Sequence, residues 1–329
     1  MARNTLQKEI IRQTLCEMHN HPTASMVYDR VHQTHPTISR STVYRVLAQM
    51  AEEGTILRLG LTGNDSRYDA NISPHGHVQC RICGAVADGI LPGSYGYEAG
   101  QSCVGDGFAW FTHQMVPEKY YNEAKSRGMH IQQYLTSLAQ NLRPGESGLM
   151  ILDWWNGNRS ILTDYDLQGL MLGMTLQTRP EEIYRAMIEA TAFGTRMIVD
   201  NFRAHGVAVE DFFATGGISR KNGMAMQIYA DVLHMPVRVA DTDQGPALGS
   251  AIFAAAAAGS ARGGYDTVAQ AVAHMASARY TVYHPDAGSA EIYDRLYAEY
   301  ARLHDYFGRG ENDVMKRLKR IREGALKQH

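Results

Sequence analysis

The sequence predicts an α/β fold built from a small helical module and a larger α/β domain. Three observations favour it. Short helix patterns broken by proline occupy the first 70 or so residues, strand–helix alternation with glycine corners begins near residue 90, and a length of 329 residues suits about two domains. Hydrophobic residues make up 44% of the chain and charged residues 20%, which is the balance of a folded globular protein.

Composition excludes several classes of protein. A net charge of −2 argues against binding nucleic acid through bulk charge, so any contact with DNA must come from a local surface. Four cysteines, Cys16, Cys80, Cys83 and Cys103, are too few for a disulfide scaffold. The apolar run 251–258 is too short to cross a bilayer and predicts a packed helix. The N-terminus has no apolar signal core, so we expect a cytoplasmic chain without a membrane partner.

The first module has the order helix, helix, helix, hairpin. The predicted elements are helices over 6–18, 24–32 and 42–53 and strands over 56–59 and 66–69. Thr23 can cap the second helix, and Gly54 ends the third. The apolar stripe of the third helix consists of Val43, Val46, Leu47 and Met50. This order is that of a winged helix-turn-helix.

Polar side chains cluster near the start of the third predicted helix. They are Arg40, Ser41, Thr42, Tyr44 and Arg45. Recognition helices place such short donors, aromatic rings and guanidinium groups against phosphates and base edges of the major groove. The alternative is that they simply cover a helix surface. Residues 1–70 hold eight Lys and Arg against seven Asp and Glu, a net of +1, so charge alone does not favour DNA.

A segment rich in histidine and cysteine follows the predicted hairpin. Cys80 and Cys83 have Cys-x-x-Cys spacing, and two thiolates so spaced can bind one zinc ion as half of a tetrahedral site. His75 and His77 are separated by one residue, so on a strand they point to the same side and can share a metal.

Residues 1 to about 88 resemble the ferric-uptake-regulator family, and most closely its peroxide-sensing branch. The matching segments are 21–24, 41–47, 67–69 and 75–83. The resemblance implies a winged-helix head whose recognition helix is 42–53, with operator DNA as the partner. Family members dimerise through a following domain whose strands are missing here, so a homodimer is expected only if the chain is functional. In that branch, peroxide bound to iron oxidises a ligand histidine and releases the DNA.

The same resemblance implies two metal sites. Its regulatory ligands for iron or manganese correspond here to His21, Asp69, His75, His77 and Asp88. Mixed nitrogen and oxygen ligands suit those metals. Family members complete a structural zinc site with a second Cys-x-x-Cys, which this chain does not have, so Cys80 and Cys83 form at most half of that zinc site.

From about residue 87 onward the chain resembles the ribulokinase branch of the FGGY carbohydrate kinases. The matching segments are 88–102, 153–159, 180–196, 216–222, 244–259 and 303–308. The resemblance implies an actin-like, ribonuclease H-like α/β domain, ATP with Mg²⁺, and phosphorylation of L-ribulose in L-arabinose catabolism. The two resemblances predict domains 1–88 and 89–329, with Asp88 shared by both motifs.

Four residues are candidates for ligand binding in this second domain. Gly216 and Gly217 have no side chains to hold their amides away from a nucleotide, although a lone Gly-Gly is more often a plain turn. Asn222, at the start of the next helix, can add an amide contact. Glu98 matches a sugar-binding position of the family, where a carboxylate accepts hydroxyl hydrogen bonds; in isolation it would suit a solvated loop.

The elements around these residues are also predictable. They are a helix over 178–206 with Gly206 as its C-terminal cap, a buried strand over 211–215, a strand over 236–240, an alanine-rich helix over 244–259 and terminal helices in the last 40 residues. This alternation of strands and helices predicts α/β architecture.

The departures from the kinase family lead to three hypotheses. FGGY kinases close two actin-like domains over ATP and sugar, and the first carries an Asp-x-Gly-Thr hairpin and the catalytic base. No Asp-x-Gly-Thr occurs in this chain, and neither Asp106 nor Asp153 matches the base, so no catalytic residue is assigned. The hypotheses are a metal-responsive DNA-binding regulator carrying a kinase lobe that has lost activity, an active ribulokinase, and a non-functional chimera from recombination or misassembly.

Overall fold

A computed structural model describes residues 2–18, 21–60, 66–72, 77–79, 86–88, 96–242, 244–276 and 279–327. The chain divides into two units, Met1–Tyr97 and Glu98–His329, each of which is described by itself. Among the described residues, no helix is both long and apolar enough to cross a bilayer.

The first unit has the predicted order of elements as far as β2, and a second strand pair that the sequence does not predict follows it. Its helices are α1 (Ala2–Cys16), α2 (Ala24–Thr34) and α3 (Arg40–Glu52), and its strands are β1 (Leu57–Leu59), β2 (Arg67–Asp69), β3 (His77–Gln79) and β4 (Val86–Asp88). The strands form two separate antiparallel pairs, β1 with β2 and β3 with β4.

Helix α3 is fixed by a buried stripe and a side-chain cap. Its four predicted stripe residues, Val43 to Met50 at helical spacing, are at most 1% exposed and pack against α1 and α2. The helix begins two residues before the predicted start because Ser39 is its cap, accepting a hydrogen bond from the Thr42 amide at 3.3 Å. Thr23 caps α2 in the same way, as predicted.

The second unit holds the rest of the elements. Its helices are α4 (Val104–Met115), α5 (Glu118–Ser126), α6 (Ile131–Ala139), α7 (Pro180–Ala204), α8 (Gly217–Lys221), α9 (Gly223–Leu233), α10 (Gly245–Ala258), α11 (Val268–Met275), α12 (Ala287–Gly308) and α13 (Val314–Leu326). Its strands are β5 (Met150–Leu152), β6 (Leu170–Leu172), β7 (Phe212–Ala214), β8 (Val237–Ala240) and β9 (Tyr280–Tyr283). Three helices come first, so the strand–helix alternation expected from about residue 90 begins only at β5.

Two small sheets support this unit. β5 and β6 form an antiparallel pair, and β7, β8 and β9 form a sheet in that order. β7 and β8 are parallel and are joined through α8 and α9, which places the turn after β7 at the carboxyl end of a parallel pair. That edge is where α/β folds commonly bind ligands.

Helix α7 lies at the centre of the core. It is 25 residues long, and 15 of them are buried. It begins one residue after Arg179, whose amide donates to the Glu182 carboxylate, and Gly206 follows its end at φ +79°. The predicted helix over 178–206 is therefore confirmed to within two residues.

Two expectations about burial are wrong. The segment 211–215 is not a buried strand, because Phe213 on β7 is 53% exposed. Val282, on the same face of the sheet, is 41% exposed. The alanine-rich helix α10 has the predicted bounds but buries only Ile252, packing mainly on α11. Both elements have apolar faces that no other described layer covers.

A buried ion pair ties the central helix to its neighbours. The Arg185 guanidinium contacts the Glu189 carboxylate at 2.9 Å, and both are at least nine-tenths buried. Arg185 also donates to the Tyr293 hydroxyl of α12 at 2.8 Å and to the Ala139 carbonyl of α6 at 3.2 Å. The Tyr293 hydroxyl in turn donates to Glu189 at 2.9 Å, so the carboxylate and guanidinium are both satisfied.

We predict that Arg185→Leu lowers the free energy of unfolding by about 3–5 kcal/mol, because it leaves the Glu189 carboxylate buried and uncompensated. Denaturant unfolding of the full chain measures this loss. The double substitution Arg185→Leu with Glu189→Leu should recover most of it. Arg302→Leu on the exposed surface of α12 is the control and should cost less than about 1 kcal/mol; an equal loss in the control and in Arg185→Leu would contradict the prediction.

Candidate functional site

The first unit brings two predicted metal ligands together. His21 and Asp69 are 4% and 9% exposed, and His21 Nε2 lies 3.5 Å from Asp69 Oδ2. The segment before α2 is held against β2, since the Tyr68 amide donates to the Pro22 carbonyl at 3.0 Å and Arg67 donates to the His21 carbonyl at 2.9 Å. Backbone pairing therefore positions an imidazole beside a carboxylate.

The β3–β4 pair places two further predicted ligands opposite each other. His77 is the cross-strand partner of Asp88. The predicted ligands His75, Cys80 and Cys83 lie outside the described residues. Across the described ranges, no cluster of three or more His, Cys, Asp or Glu side chains that could hold a metal is found. The candidate ligands among the described residues are two histidines and two aspartates, and their nitrogen and oxygen donor atoms suit iron or manganese.

The predicted DNA-reading residues lie on the side of α3 opposite its buried stripe. Arg40, Ser41, Tyr44 and Arg45 are exposed, and Thr42 is half-buried. Arg40 donates to the Ser25 hydroxyl at 2.9 Å and its guanidinium lies 5.6 Å from the Tyr44 ring centre. These contacts hold an arginine beside an aromatic ring on one face of the helix.

The second unit contains a cavity of about 1000 Å³ beside the turn after β7. Gly217 and Asn222 line it, and Gly216 precedes α8 at φ +100°, a conformation that favours glycine. A Cβ at either glycine would meet no atom within 4 Å, so both backbones are open to a ligand.

Asn222 has a structural task in the described chain. Its side-chain oxygen accepts a hydrogen bond from the Ala225 amide at 3.0 Å and so caps α9. Its amide nitrogen lies 3.4 Å from the Tyr184 and Thr136 hydroxyls. A nucleotide contact by Asn222 would have to replace or share these bonds.

Sequence reasoning missed most of the cavity wall. Side chains from α4, α6 and α7 complete it, among them Phe108, Thr136 and Tyr184, and these positions are too distant in sequence to be linked by any motif. Lys221 could have been predicted as a cavity residue from the sequence, because it directly precedes the candidate Asn222. It is the one Lys or Arg among the described lining residues, and none of them is Asp or Glu.

Glu98 lies elsewhere. Its carboxylate forms an exposed ion pair with Arg159 at 2.6 Å, and it is not among the described residues that line the large cavity. Arg159 instead borders a small gap together with Gln101, Asp153 and Tyr300. The structure therefore does not place the predicted sugar-binding and nucleotide-binding residues in one pocket.

Asp153 is a buried carboxylate in that gap. It is 7% exposed and follows β5 directly. Burial raises the pKa of Asp153 to about 7, although the Tyr300 hydroxyl donates a hydrogen bond that favours the charged form. Between the usual aspartate pKa of 3.8 and this value, the folded chain holds a proton that the unfolded chain has released.

We predict that ionisation of Asp153 lowers the free energy of unfolding as the pH rises from 5 to about 7, and that Asp153→Asn removes this contribution to the pH dependence. Over that range the free energy of unfolding of the variant should rise by up to about 3 kcal/mol relative to that of the parent chain, because asparagine does not ionise. Denaturant midpoints measured across the pH range give the comparison. Asp106→Asn, at an exposed position of α4, is the control; parallel profiles for the parent and Asp153→Asn would contradict the prediction.

Two family models match the chain. The model of the FGGY family of carbohydrate kinases, C-terminal domain, matches residues 74–258, more than half of the chain. The chain belongs to the FGGY family of carbohydrate kinases. The model of the ferric uptake regulator family matches residues 1–115, so the hybrid character expected from the sequence is confirmed, with the two matches overlapping over 74–115.

Similar proteins identify the branch that this FGGY part resembles. It is 56% identical over 241 residues to a ribulokinase of Bacillus licheniformis, a match that covers 73% of this chain and 44% of that protein. A ribulokinase of Geobacillus thermodenitrificans is 53% identical over 244 residues, covering 74% and 43%. The chain thus spans less than half the length of these relatives.

A solved structure supports the fold of the same part. The ligand-bound xylulose kinase of Lactobacillus acidophilus aligns with a TM-score of 0.50 at 22% identity, covering 61% of this chain and 37% of that one. At this identity the likeness shows the fold alone. The expectation of an FGGY kinase C-terminal fold is confirmed.

Proposed function

We propose that this chain is a metal-responsive DNA-binding protein, with a winged-helix head at 1–88, whose FGGY lobe at 89–329 binds ATP with Mg²⁺ but transfers no phosphoryl group by itself. The observation that carries the proposal is the cavity beside Gly216 and Gly217. It is large enough for a nucleotide, and its described lining contains no carboxylate.

Nucleotide binding is supported by the chemistry of the cavity. Two open glycine backbones lie at the carboxyl end of β7, and Lys221 supplies a positive charge for phosphate. The aromatic rings of Phe108 and Tyr184 give an apolar wall for a base. Membership of a carbohydrate kinase family makes ATP the nucleotide we propose.

The proposed loss of phosphoryl transfer is argued from the groups that this reaction requires. A kinase must hold the metal-bound phosphates in line and accept a proton from the attacking hydroxyl, tasks that carboxylates perform. Asp153 is buried in a separate gap and Glu98 is paired with Arg159. The ribulokinase relatives are more than twice as long as the part of them that this chain matches, which supports the proposal that their remaining part supplies the base.

DNA binding is supported by the two faces of α3. One face is buried against α1 and α2, and the other presents Arg40, Tyr44 and Arg45 to solvent from a helix that is capped and packed. We propose that this face reads the major groove of operator DNA, that β1 and β2 form the wing, and that two copies bind the two halves of an operator.

Metal control is supported by the pairing of His21 with Asp69. We propose that these residues, with His75, His77 and Asp88, bind iron or manganese, and that the ion joins the start of α2 to the strands. Zinc at Cys80 and Cys83 would need further ligands from another source.

A second candidate function is ATP-dependent phosphorylation of L-ribulose, which the identity of 56% to a ribulokinase favours. The third, a chimera without function, is favoured by the uncovered apolar faces of β7 and α10. Release of ADP that depends on L-ribulose would establish the second, and a chain that binds neither ATP nor DNA would establish the third.

We predict that Lys221→Ala weakens ATP binding about tenfold and leaves adenosine binding unchanged, because the lost ammonium faces phosphate and not the base. Isothermal titration calorimetry with each ligand separates the two effects. Arg220→Ala is the matched control, since Arg220 pairs with Asp241 at 3.2 Å and is not among the described lining residues. An equal loss for ATP and adenosine would contradict the assignment of Lys221.

We predict that Arg45→Ala reduces duplex DNA binding at least about tenfold, since it removes a guanidinium from the groove-facing side of α3. Mobility shifts with a pool of random-sequence duplexes, with Mn²⁺ or with a chelator, measure the affinity. Arg12→Ala, which removes an exposed arginine from α1, controls for net charge. Equal affinities of the two variants for DNA, or an affinity that is the same with Mn²⁺ and with the chelator, would contradict the proposed regulatory function.

A further inference from the structure

Helix α13 is attached to the second unit through one buried methionine and two lysines. Met315 is 6% exposed in the core, Lys316 forms an ion pair with Asp164 at 2.6 Å, and Lys319 forms one with Asp166 at 2.6 Å. These three residues lie within about one turn of one another and fix which side of the helix faces the body of the unit.

The opposite side of α13 carries apolar residues into solvent. Leu318 is 55% exposed and Ile321 is 68% exposed, and Ala325 is also exposed. We call these three residues the outer stripe. They are spaced by three and four residues, which is the spacing of the contact positions of a two-stranded helical interface. Val314, four residues before Leu318, packs against the core of the unit and is not part of the stripe.

The flanks of the outer stripe are positively charged. Arg317 lies on one side and Arg322 on the other, and α13 as a whole holds five Lys and Arg against one Glu, a net of +4. In a paired-helix interface, residues in these flanking positions meet the flanks of the partner helix and select it by charge.

We propose that the outer stripe of α13 is a docking surface for an amphipathic helix of another protein that carries acidic residues beside its own apolar stripe. A second copy of this chain is disfavoured because Arg317 and Arg322 would meet the same charges. Nucleic acid would neutralise the arginines but leave Leu318 and Ile321 in water. Membrane-surface helices carry broad apolar faces with aromatic anchors, and α13 has a narrow stripe without aromatic residues.

The probe is a labelled synthetic peptide of three heptads, with leucine at the contact positions and glutamate at the flanking positions. Fluorescence anisotropy with the full chain should show binding that weakens with salt. A peptide with lysine in place of glutamate is the charge control. Vesicles containing phosphatidylserine test the membrane alternative, and sedimentation tests self-association.

Two pairs of variants locate the binding surface. Ile321→Ser should weaken peptide binding at least about tenfold, while Leu172→Ser, at a comparably exposed leucine of β6, should not change it. Replacing Arg317 and Arg322 together with alanine should weaken binding to a similar degree, whereas replacing Arg302 and Arg309 should not. Circular dichroism confirms that each variant is folded.

The proposal is overturned if the glutamate peptide does not bind, if the lysine peptide binds equally well, or if Ile321→Ser and Leu172→Ser have the same effect. Binding of vesicles in preference to the peptide would replace it with a membrane role. A dimer that dissociates on Ile321→Ser would replace it with self-association.

Discussion

The second unit depends on one buried interaction, the contact of Arg185 with Glu189 and Tyr293. Through these three side chains and the Ala139 carbonyl, helix α7 is joined to α6 and α12 with every charged group paired. A pair this deeply buried persists only where its geometry is good and its remaining hydrogen bonds are made. The cavity wall contributed by α6 and α7 and the position of Asp153 against Tyr300 of α12 both depend on that arrangement, so the ligand-binding geometry rests on the core of the unit.

The second unit also exposes apolar surface to solvent. Phe213 on β7, Val282 on β9, most of α10 and the outer stripe of α13 expose apolar atoms that a folded domain usually buries against another layer. The chain matches less than half of its ribulokinase relatives, and the proposed separation of nucleotide binding from phosphoryl transfer follows from that difference. The same surfaces offer places for partners, of which the outer stripe has the clearest charge pattern.

Local patterns in the sequence predict much of the fold. The Thr23 cap, the buried stripe of α3 and the bounds of α7 and α10 follow from residues close to one another in the chain, and so does the order of elements in the first unit as far as β2. Burial could not be predicted in this way, because Phe213 is a residue type typical of a core, yet it is 53% exposed on a face that no described layer covers. Glu98 and Gly217 both match the family pattern, yet Glu98 pairs with Arg159 and is not among the described residues that line the cavity beside Gly217. Burial raises the pKa of Asp153 against the opposing effect of the Tyr300 hydrogen bond from α12, and this burial has no local signature in the sequence.

We propose that the FGGY lobe binds ATP without transferring its terminal phosphate, while the winged-helix head binds DNA. The decisive experiment is to incubate the full chain with Mg²⁺, L-ribulose and ATP labelled on its terminal phosphate, and then to analyse the bound nucleotide and the sugar. We expect about one intact ATP to be retained per chain and no label to reach the sugar. Labelled sugar phosphate would contradict the proposed loss of transfer, and the failure of ATP to bind would contradict the role assigned to the cavity beside Gly216 and Gly217.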